Sequence, residues 1–165
     1  MMAERRQVTV IRGTISETDA VCVVASLSGD VGATVEMEMI YPYYRFDANC
    51  AVPTMAGCKD LSMFCLVDAV NGLGATADSF ELEKESVTSE QLLGDEVDPD
   101  DAAAIAVRTV SHRLGRKLRT IRSFNVEVQP RGLVYKRFWI VKTIGARVMV
   151  DSTNGGLHPL TLRAA

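Results

Sequence analysis

The segment Val67-Asp68-Ala69-Val70-Asn71-Gly72 recurs as Val150-Asp151-Ser152-Thr153-Asn154-Gly155, so the pattern Val-Asp-x-x-Asn-Gly occurs twice. Aspartate followed by Asn-Gly is typical of a tight turn after a strand. The carboxylate accepts nearby backbone amides, and glycine tolerates a positive φ. We therefore predict that six residues are structural turn residues: Asp68, Asn71, Gly72, Asp151, Asn154 and Gly155.

An aromatic strand precedes each of the two turns. The first begins Tyr41-Pro42-Tyr43-Tyr44-Arg45-Phe46 and the second begins Tyr135-Lys136-Arg137-Phe138-Trp139-Ile140, so each starts with Tyr-x-x-aromatic. The repeated pattern predicts duplicated units at 34–72 and 121–156, joined by an acidic connection at 73–98. The alternative is that so short a pattern recurs by chance.

A long helix is predicted over about 99–118. In Asp98-Pro99-Asp100-Asp101 the first aspartate can cap, proline fits the first helical position, and the acids favour the positive end of the helix dipole. A hairpin alone is only marginally stable, so we expect this helix to cover one. The predicted fold class is α+β, with an antiparallel sheet built from two related hairpin units and the long helix packed on it. We predict one domain, 1–165.

A second helix start lies near the beginning of the chain. Ser16-Glu17-Thr18-Asp19 fits a capping box. The apolar residues at 20–27 are rich in β-branched side chains, however, so a short helix ending near Gly29 and a strand are equally compatible with them.

The repeated pattern also resembles a known family. The hairpin ending in Val-Asp-x-x-Asn-Gly, with a helix around Asp101-Ala102-Ala103-Ala104-Ile105-Ala106, resembles PepSY-type domains over about 98–156, with an echo at 40–72. The resemblance implies a cystatin-like fold, in which a helix packs on a curved antiparallel sheet. It also implies an extracytoplasmic protein associated with peptidase inhibition or regulation and with membrane proteins. This chain departs from that pattern in its Tyr- and Trp-rich strands, and its first residues do not predict a signal peptide, so we take the fold from the resemblance more readily than the function.

Composition narrows the class of protein. The 165 residues are 47% apolar and 24% charged with net charge −3, which excludes collagen-like, coiled-coil and wholly disordered chains. No apolar run approaches the ~18 residues of a membrane-spanning helix. No apolar segment follows the first charged residues, so we expect a cytoplasmic protein.

Charge is unevenly distributed along the chain. Residues 1–101 hold 19 of the 21 acidic residues, and residues 102–165 hold 12 of the 18 basic ones. Three interpretations stay open: the two parts neutralise each other in one fold, the basic part binds an anionic partner, or the acidic stretch is itself a docking loop. The candidate anion-binding residues are Arg113, Arg116, Lys117, Arg119 and Arg122.

The cysteines and histidines give no strong metal or catalytic pattern. The cysteines Cys22, Cys50, Cys58 and Cys65 contain no C-x2-C pair, and neither histidine is near them in sequence. We predict no catalytic residue, no cofactor and no metal. The alternative metal site uses Cys50, Cys58 and Cys65, brought together by a hairpin.

The sequence favours a non-catalytic binding or accessory protein that acts through a protein interface, with a protein partner or a second copy of itself. One alternative is a nucleic-acid or anionic-surface binder that uses the basic segment 113–122. Another is a small-molecule-binding domain or enzyme with a pocket between the repeats. The predicted interface anchors are Tyr41, Tyr43, Tyr44, Phe46, Tyr135, Phe138 and Trp139.

Overall fold

The computed structural model describes residues 3–77, 79–118 and 125–160. Within these ranges the chain forms two helices and eight strands. Their bounds are β1 (Arg5–Ile11), α1 (Glu17–Ser28), β2 (Thr34–Thr54), β3 (Gly57–Asp68), β4 (Gly74–Ala77), β5 (Leu82–Thr88), α2 (Pro99–Leu118), β6 (Asn125–Thr143), β7 (Ala146–Asp151) and β8 (Leu157–Leu160).

The described strands belong to one mainly antiparallel sheet in the order β4-β3-β2-β6-β1-β5, while β7 pairs with β6 and β8. The pairing of β1 with β6 is parallel. These elements confirm the α+β class.

The residues group into two compact units. Unit 1 comprises Met1–Tyr41, Glu81–Leu93 and Tyr135–Ala165, and unit 2 comprises Pro42–Phe80 and Gly94–Val134. The long strand β2 thus contributes residues 34–41 to unit 1 and 42–54 to unit 2. Strand β6 likewise contributes to both units.

In unit 2 the helix α2 covers the β2–β3 hairpin. Its side chains at four-residue intervals are fully buried, because that spacing keeps them on one helix face: Ala102, Ala106, Val110 and Leu114. They pack against alternate residues of β2, including Tyr44 and Phe46, and against Cys65 and Val67 of β3. Strand β4 lies very close to the same helix, since a Cβ at Gly74 would be 2.1 Å from Oγ1 of Thr109.

In unit 1 the shorter helix α1 covers the β6–β7 hairpin. Ser16 and Asp19 form a reciprocal capping box, and Gly29 ends the helix with φ 70°. Ala20 and Val24 pack with Val141 and Val150. Of the two structures compatible with residues 20–27, the chain adopts the helix.

The acidic stretch 73–98 was expected to be a connection, but it contains β4 and β5. Strand β5 pairs antiparallel with β1 along its whole length, from Arg5↔Thr88 to Ile11↔Leu82. Glutamate-rich segments have low intrinsic strand preference. Here the pairing with β1 supplies the backbone hydrogen bonds, and the carboxylate of Glu85 binds Arg137.

Neither described helix is both long enough and apolar enough to cross a membrane.

Candidate functional site

One edge of β3 in unit 2 is only partly covered. Strand β3 pairs with β2 along its full length, from Gly57 to Asp68. Its pairing with β4 covers only the four residues Phe64 to Val67. Among the described strands, none pairs with β3 on that side between Gly57 and Met63. We call this segment, Gly57–Met63, the open edge.

The open edge directs backbone groups outward. The amide of Asp68 donates to the carbonyl of Leu73, on the β4 side, at 2.8 Å. The register with β2 continues without interruption from Asp68 to Gly57, and peptide groups alternate in direction along a strand. The amides of Ser62, Asp60 and Cys58 therefore point to the same side as that of Asp68, where a further strand could accept them.

Two cations of α2 lie beside the open edge. Arg113 and Lys117, one helical turn apart, line a cavity of about 270 Å³ together with Ser62 and Thr76. Both are exposed. Within the described part of the chain, neither forms an ion pair with a carboxylate. The described lining of this cavity, which we call the basic cleft, thus contains two cations and no carboxylate.

A second cavity, of about 390 Å³, also reaches β3 and includes Asp47, Asn49 and Arg131. Asp47 and Asn49 point away from α2, because side chains alternate along β2 and their neighbour Phe46 packs against the helix. Nε of Arg131 lies 2.7 Å from Oδ2 of Asp47. Oδ1 of Asp47 is buried and lies 3.6 Å from Nη2 of Arg45. We call this second cavity the polar cavity. Both cavities share Ser62, Met63 and Ala77.

Other basic residues of 102–165 do have partners. Arg131 pairs with Asp47, and Arg147 pairs with Glu36. Arg137 binds both Glu38 and Glu85. These carboxylates all come from residues 1–101, so within each unit part of the uneven charge is neutralised in ion pairs.

The five predicted anion-binding residues are placed as follows. Arg113, Arg116 and Lys117 are exposed on α2, and the first and last of them line the basic cleft. Arg119 and Arg122 lie outside the described residues.

The predicted aromatic interface needs correction. Five of its seven side chains are at most 8% exposed: Tyr41, Tyr44, Phe46, Tyr135 and Phe138. Tyr43 and Trp139 are half-buried. These rings supply the large apolar area that the units need for their own cores, so they do not form an exposed aromatic face.

The two turn aspartates make equivalent bonds. Oδ1 of Asp68 accepts the amides of Val70 and Asn71, and Oδ1 of Asp151 accepts the amide and hydroxyl of Thr153. Gly72 and Gly155 follow with φ 74° and 72°. Of the two turn asparagines, Asn71 and Asn154, the second accepts the amide of Gly156 with its Oδ1.

Asp151 also has a cationic partner. Nζ of Lys136 lies 3.1 Å from Oδ2 of Asp151, whose side chain is almost fully buried. Because one carboxylate binds both the turn and this cation, we assign Asp151 a structural role.

The four cysteines differ in burial. Cys50 and Cys65 are buried in the core of unit 2, whereas Cys22 and Cys58 are exposed. Among the described residues, no group of three or more His, Cys, Asp or Glu side chains is arranged to hold a metal ion.

Sequence reasoning missed the open edge. Strand β3 has 12 residues and β4 has four, and this mismatch in length is what leaves the edge uncovered. The only sequence signal is the position of Gly72 and Gly74 so soon after the long strand.

In comparisons with protein-family models, curated proteins and solved structures, the chain matched none of them. The PepSY resemblance stays a prediction.

We predict that the two buried thiols resist alkylation in the native protein. Burial raises the pKa of Cys65 to about 11 and also raises the pKa of Cys50. The thiolate is the reactive form, and at pH 8 a thiol of pKa about 11 is ionised in about one molecule per thousand. Iodoacetamide at pH 8, followed by peptide mass spectrometry, should modify Cys22 and Cys58 first.

Labelling in urea provides the control, since all four cysteines should then react. Native Cys65 reacting as fast as Cys58 would contradict the buried placement.

Proposed function

We propose that this chain is a non-catalytic binding protein that holds an extended segment of a protein partner by strand addition at the open edge. The observation that carries the proposal is the row of outward amides at Cys58, Asp60 and Ser62 with no described strand beside it. In strand addition, main-chain hydrogen bonds supply affinity, and pockets for alternate side chains supply specificity. The basic cleft and the polar cavity supply such pockets here.

The composition of the open edge also favours a selective site. Exposed strand edges pair indiscriminately unless charged residues or bulges protect them. The open edge carries Lys59 and Asp60 next to one another. These charges disfavour unselective pairing with apolar strands and leave the main-chain groups available to a matching segment.

A peptide selection tests this proposal. A random peptide library displayed on phage is selected against the wild-type protein, and the enriched peptides are measured against Ser62→Pro and Ser62→Ala. Proline removes the outward amide and leaves the pairing with β2 in place, because the amide of residue 62 faces away from β2. We expect Ser62→Pro to lose at least about tenfold in affinity, a change of ~1.4 kcal/mol.

Ser62→Ala is the matched control, because it removes the hydroxyl but keeps the amide, and it should bind within about threefold of wild type. Enriched peptides that bind Ser62→Pro as well as wild type would contradict strand addition, as would a library that yields no enriched peptide.

We also infer that the chain contains a duplication of one helix followed by one hairpin. In each unit the residue after the turn aspartate accepts two amides from the segment leading into a helix. The carbonyl of Ala69 accepts Glu96 and Val97, and that of Ser152 accepts Thr14 and Ile15, all at 2.8 Å.

Aromatic side chains repeat this correspondence. Tyr44 pairs with Val67, and its hydroxyl lies 2.8 Å from the carbonyl oxygen of Val97. Trp139 pairs with Val150, and its indole N–H donates to the carbonyl of Ile15 at 3.0 Å. When the two hairpins are aligned by these strand pairs, Tyr44 corresponds to Trp139. This alignment differs by one residue from the one that matches Tyr41 with Tyr135.

The two copies exchange their helices. Along the chain the order is α1, the β2–β3 hairpin, α2 and the β6–β7 hairpin. Each hairpin packs with the helix of the other copy: β2–β3 with α2 in unit 2, and β6–β7 with α1 in unit 1. A helix on an antiparallel hairpin is also the arrangement that the PepSY resemblance implies.

We predict that Tyr44→Phe and Trp139→Phe both destabilise the protein, because each removes a hydrogen bond that ties a hairpin to the segment before a helix. A bond of this kind contributes about 0.5–1.5 kcal/mol, and Trp139→Phe loses ring area as well. Urea unfolding followed by circular dichroism measures the change. If either variant were as stable as wild type, the result would contradict equivalent roles for Tyr44 and Trp139.

A further inference from the structure

We infer that the partner segment is acidic at alternate positions, with its carboxylates directed into the basic cleft. This inference rests on the proposed strand addition and names the chemistry of the partner. It follows from the position of the two cavities relative to the open edge and from the charges that line them.

The first step is the geometry of an added strand. Successive side chains of a strand point to opposite faces of the sheet. The basic cleft lies on the α2 side, and the polar cavity includes Asp47 and Asn49, which point away from α2. Because both cavities share Ser62, Met63 and Ala77, they meet at the position next to β3 where β4 ends. A segment lying there would direct one side chain into each cavity in turn.

The second step is charge. Arg113 and Lys117 stand one turn apart, and Thr76 lines the same cleft. The hydroxyl of Ser62 is directed to the other face of the sheet, where it donates to Oδ1 of Asn49 at 2.7 Å. Two cations favour a carboxylate, which accepts hydrogen bonds from both of them. Exposed Arg116 adds a third positive charge nearby and would speed the encounter with an acidic chain.

The third step is the residue on the other face. The charges in the wall of the polar cavity, Asp47 and Arg131, pair with each other, and Oδ1 of Asp47 also lies 3.6 Å from Nη2 of Arg45. The rest of the polar lining includes the neutral side chains of Asn49 and Gln129. A neutral side chain that donates a hydrogen bond, such as threonine, matches this lining of paired charges and amide groups. The expected motif therefore alternates an acidic residue with a neutral hydrogen-bond donor.

The test uses two fluorescein-labelled peptides of about eight residues, the length of an ordinary strand. One alternates Glu with Thr and the other alternates Lys with Thr. Fluorescence anisotropy with the full chain measures the affinity of each. We expect the Glu-Thr peptide to bind at least about tenfold more tightly at low salt, and the preference to shrink as salt is added.

Charge reversal on α2 identifies the cations. Arg113→Glu and Lys117→Glu should each weaken the Glu-Thr peptide by about tenfold or more. Arg108→Glu is the matched control, because it makes the same change of charge at an exposed position of α2 that does not line the cleft. An equal loss in Arg108→Glu would overturn the assignment of the basic cleft.

Ser62→Pro separates this inference from the proposed function. If the Lys-Thr peptide binds as tightly as the Glu-Thr peptide and both are lost in Ser62→Pro, strand addition stands and the acidic partner is overturned. If the Glu-Thr peptide binds and Ser62→Pro does not weaken it, the cations act without an added strand and both are overturned. Asp60→Pro, which also removes an outward amide, replaces Ser62→Pro if that variant fails to fold by circular dichroism.

The same variants distinguish two other possible partners of this site, nucleic acid and a second copy of the chain. A single-stranded oligothymidylate that displaces the Glu-Thr peptide and binds Ser62→Pro as tightly as wild type would assign the cations to nucleic acid and overturn the inference. Dimerisation measured by light scattering, lost in Ser62→Pro, without binding of either peptide, would assign the edge to a second copy and overturn it as well.

Discussion

The carbonyl oxygen of Ala69 accepts the amides of Glu96 and Val97, and this contact fixes where α2 begins. The next residue, Asp98, caps the helix, with its carbonyl accepting Ala102 and its carboxylate accepting Asp100. From that start, the spacing of buried residues at four-residue intervals determines the rotation of the whole helix. The turn after β3 therefore determines which side chains of α2 face the sheet.

That rotation places the cations of the candidate site. Leu114 is fully buried against the hairpin, and Arg113 and Lys117, one helical turn apart, both lie to the same side of it around the helix. Their side chains consequently emerge at the margin of the packed face, next to β3, where they line the basic cleft. The same contact that stabilises the core of unit 2 thus produces a positive margin beside an uncovered strand edge.

The sequence predicts those features that depend on neighbouring residues. Asp98 and Pro99 carry the signal for the start of α2, and the Val-Asp-x-x-Asn-Gly segments carry the signal for the turns. The sequence of residues 20–27 is equally compatible with a helix and a strand, because packing against the β6–β7 hairpin decides between them. Strand β5 was missed, since its glutamates disfavour a strand until β1 pairs with it.

The candidate site was predicted in part. The basic character of Arg113, Arg116 and Lys117 is visible in the sequence, but their position beside an open edge depends on the length of β4 relative to β3. The seven aromatic residues were predicted to be interface anchors. Five of them are buried instead: Tyr44 and Phe46 belong to the core that α2 covers, and the rings of Tyr41 and Phe138 contact each other.

Amide hydrogen exchange tests the central claim most directly, because strand addition makes hydrogen bonds to particular backbone groups. Exchange is measured by NMR on the full chain, alone and saturated with the Glu-Thr peptide. The account predicts fast exchange at Cys58, Asp60 and Ser62 in the free protein and strong protection of these three amides in the complex. The neighbouring amides of Lys59 and Leu61, which face β2, should change little. Unchanged exchange at Cys58, Asp60 and Ser62 in a peptide-saturated sample would contradict strand addition at the open edge.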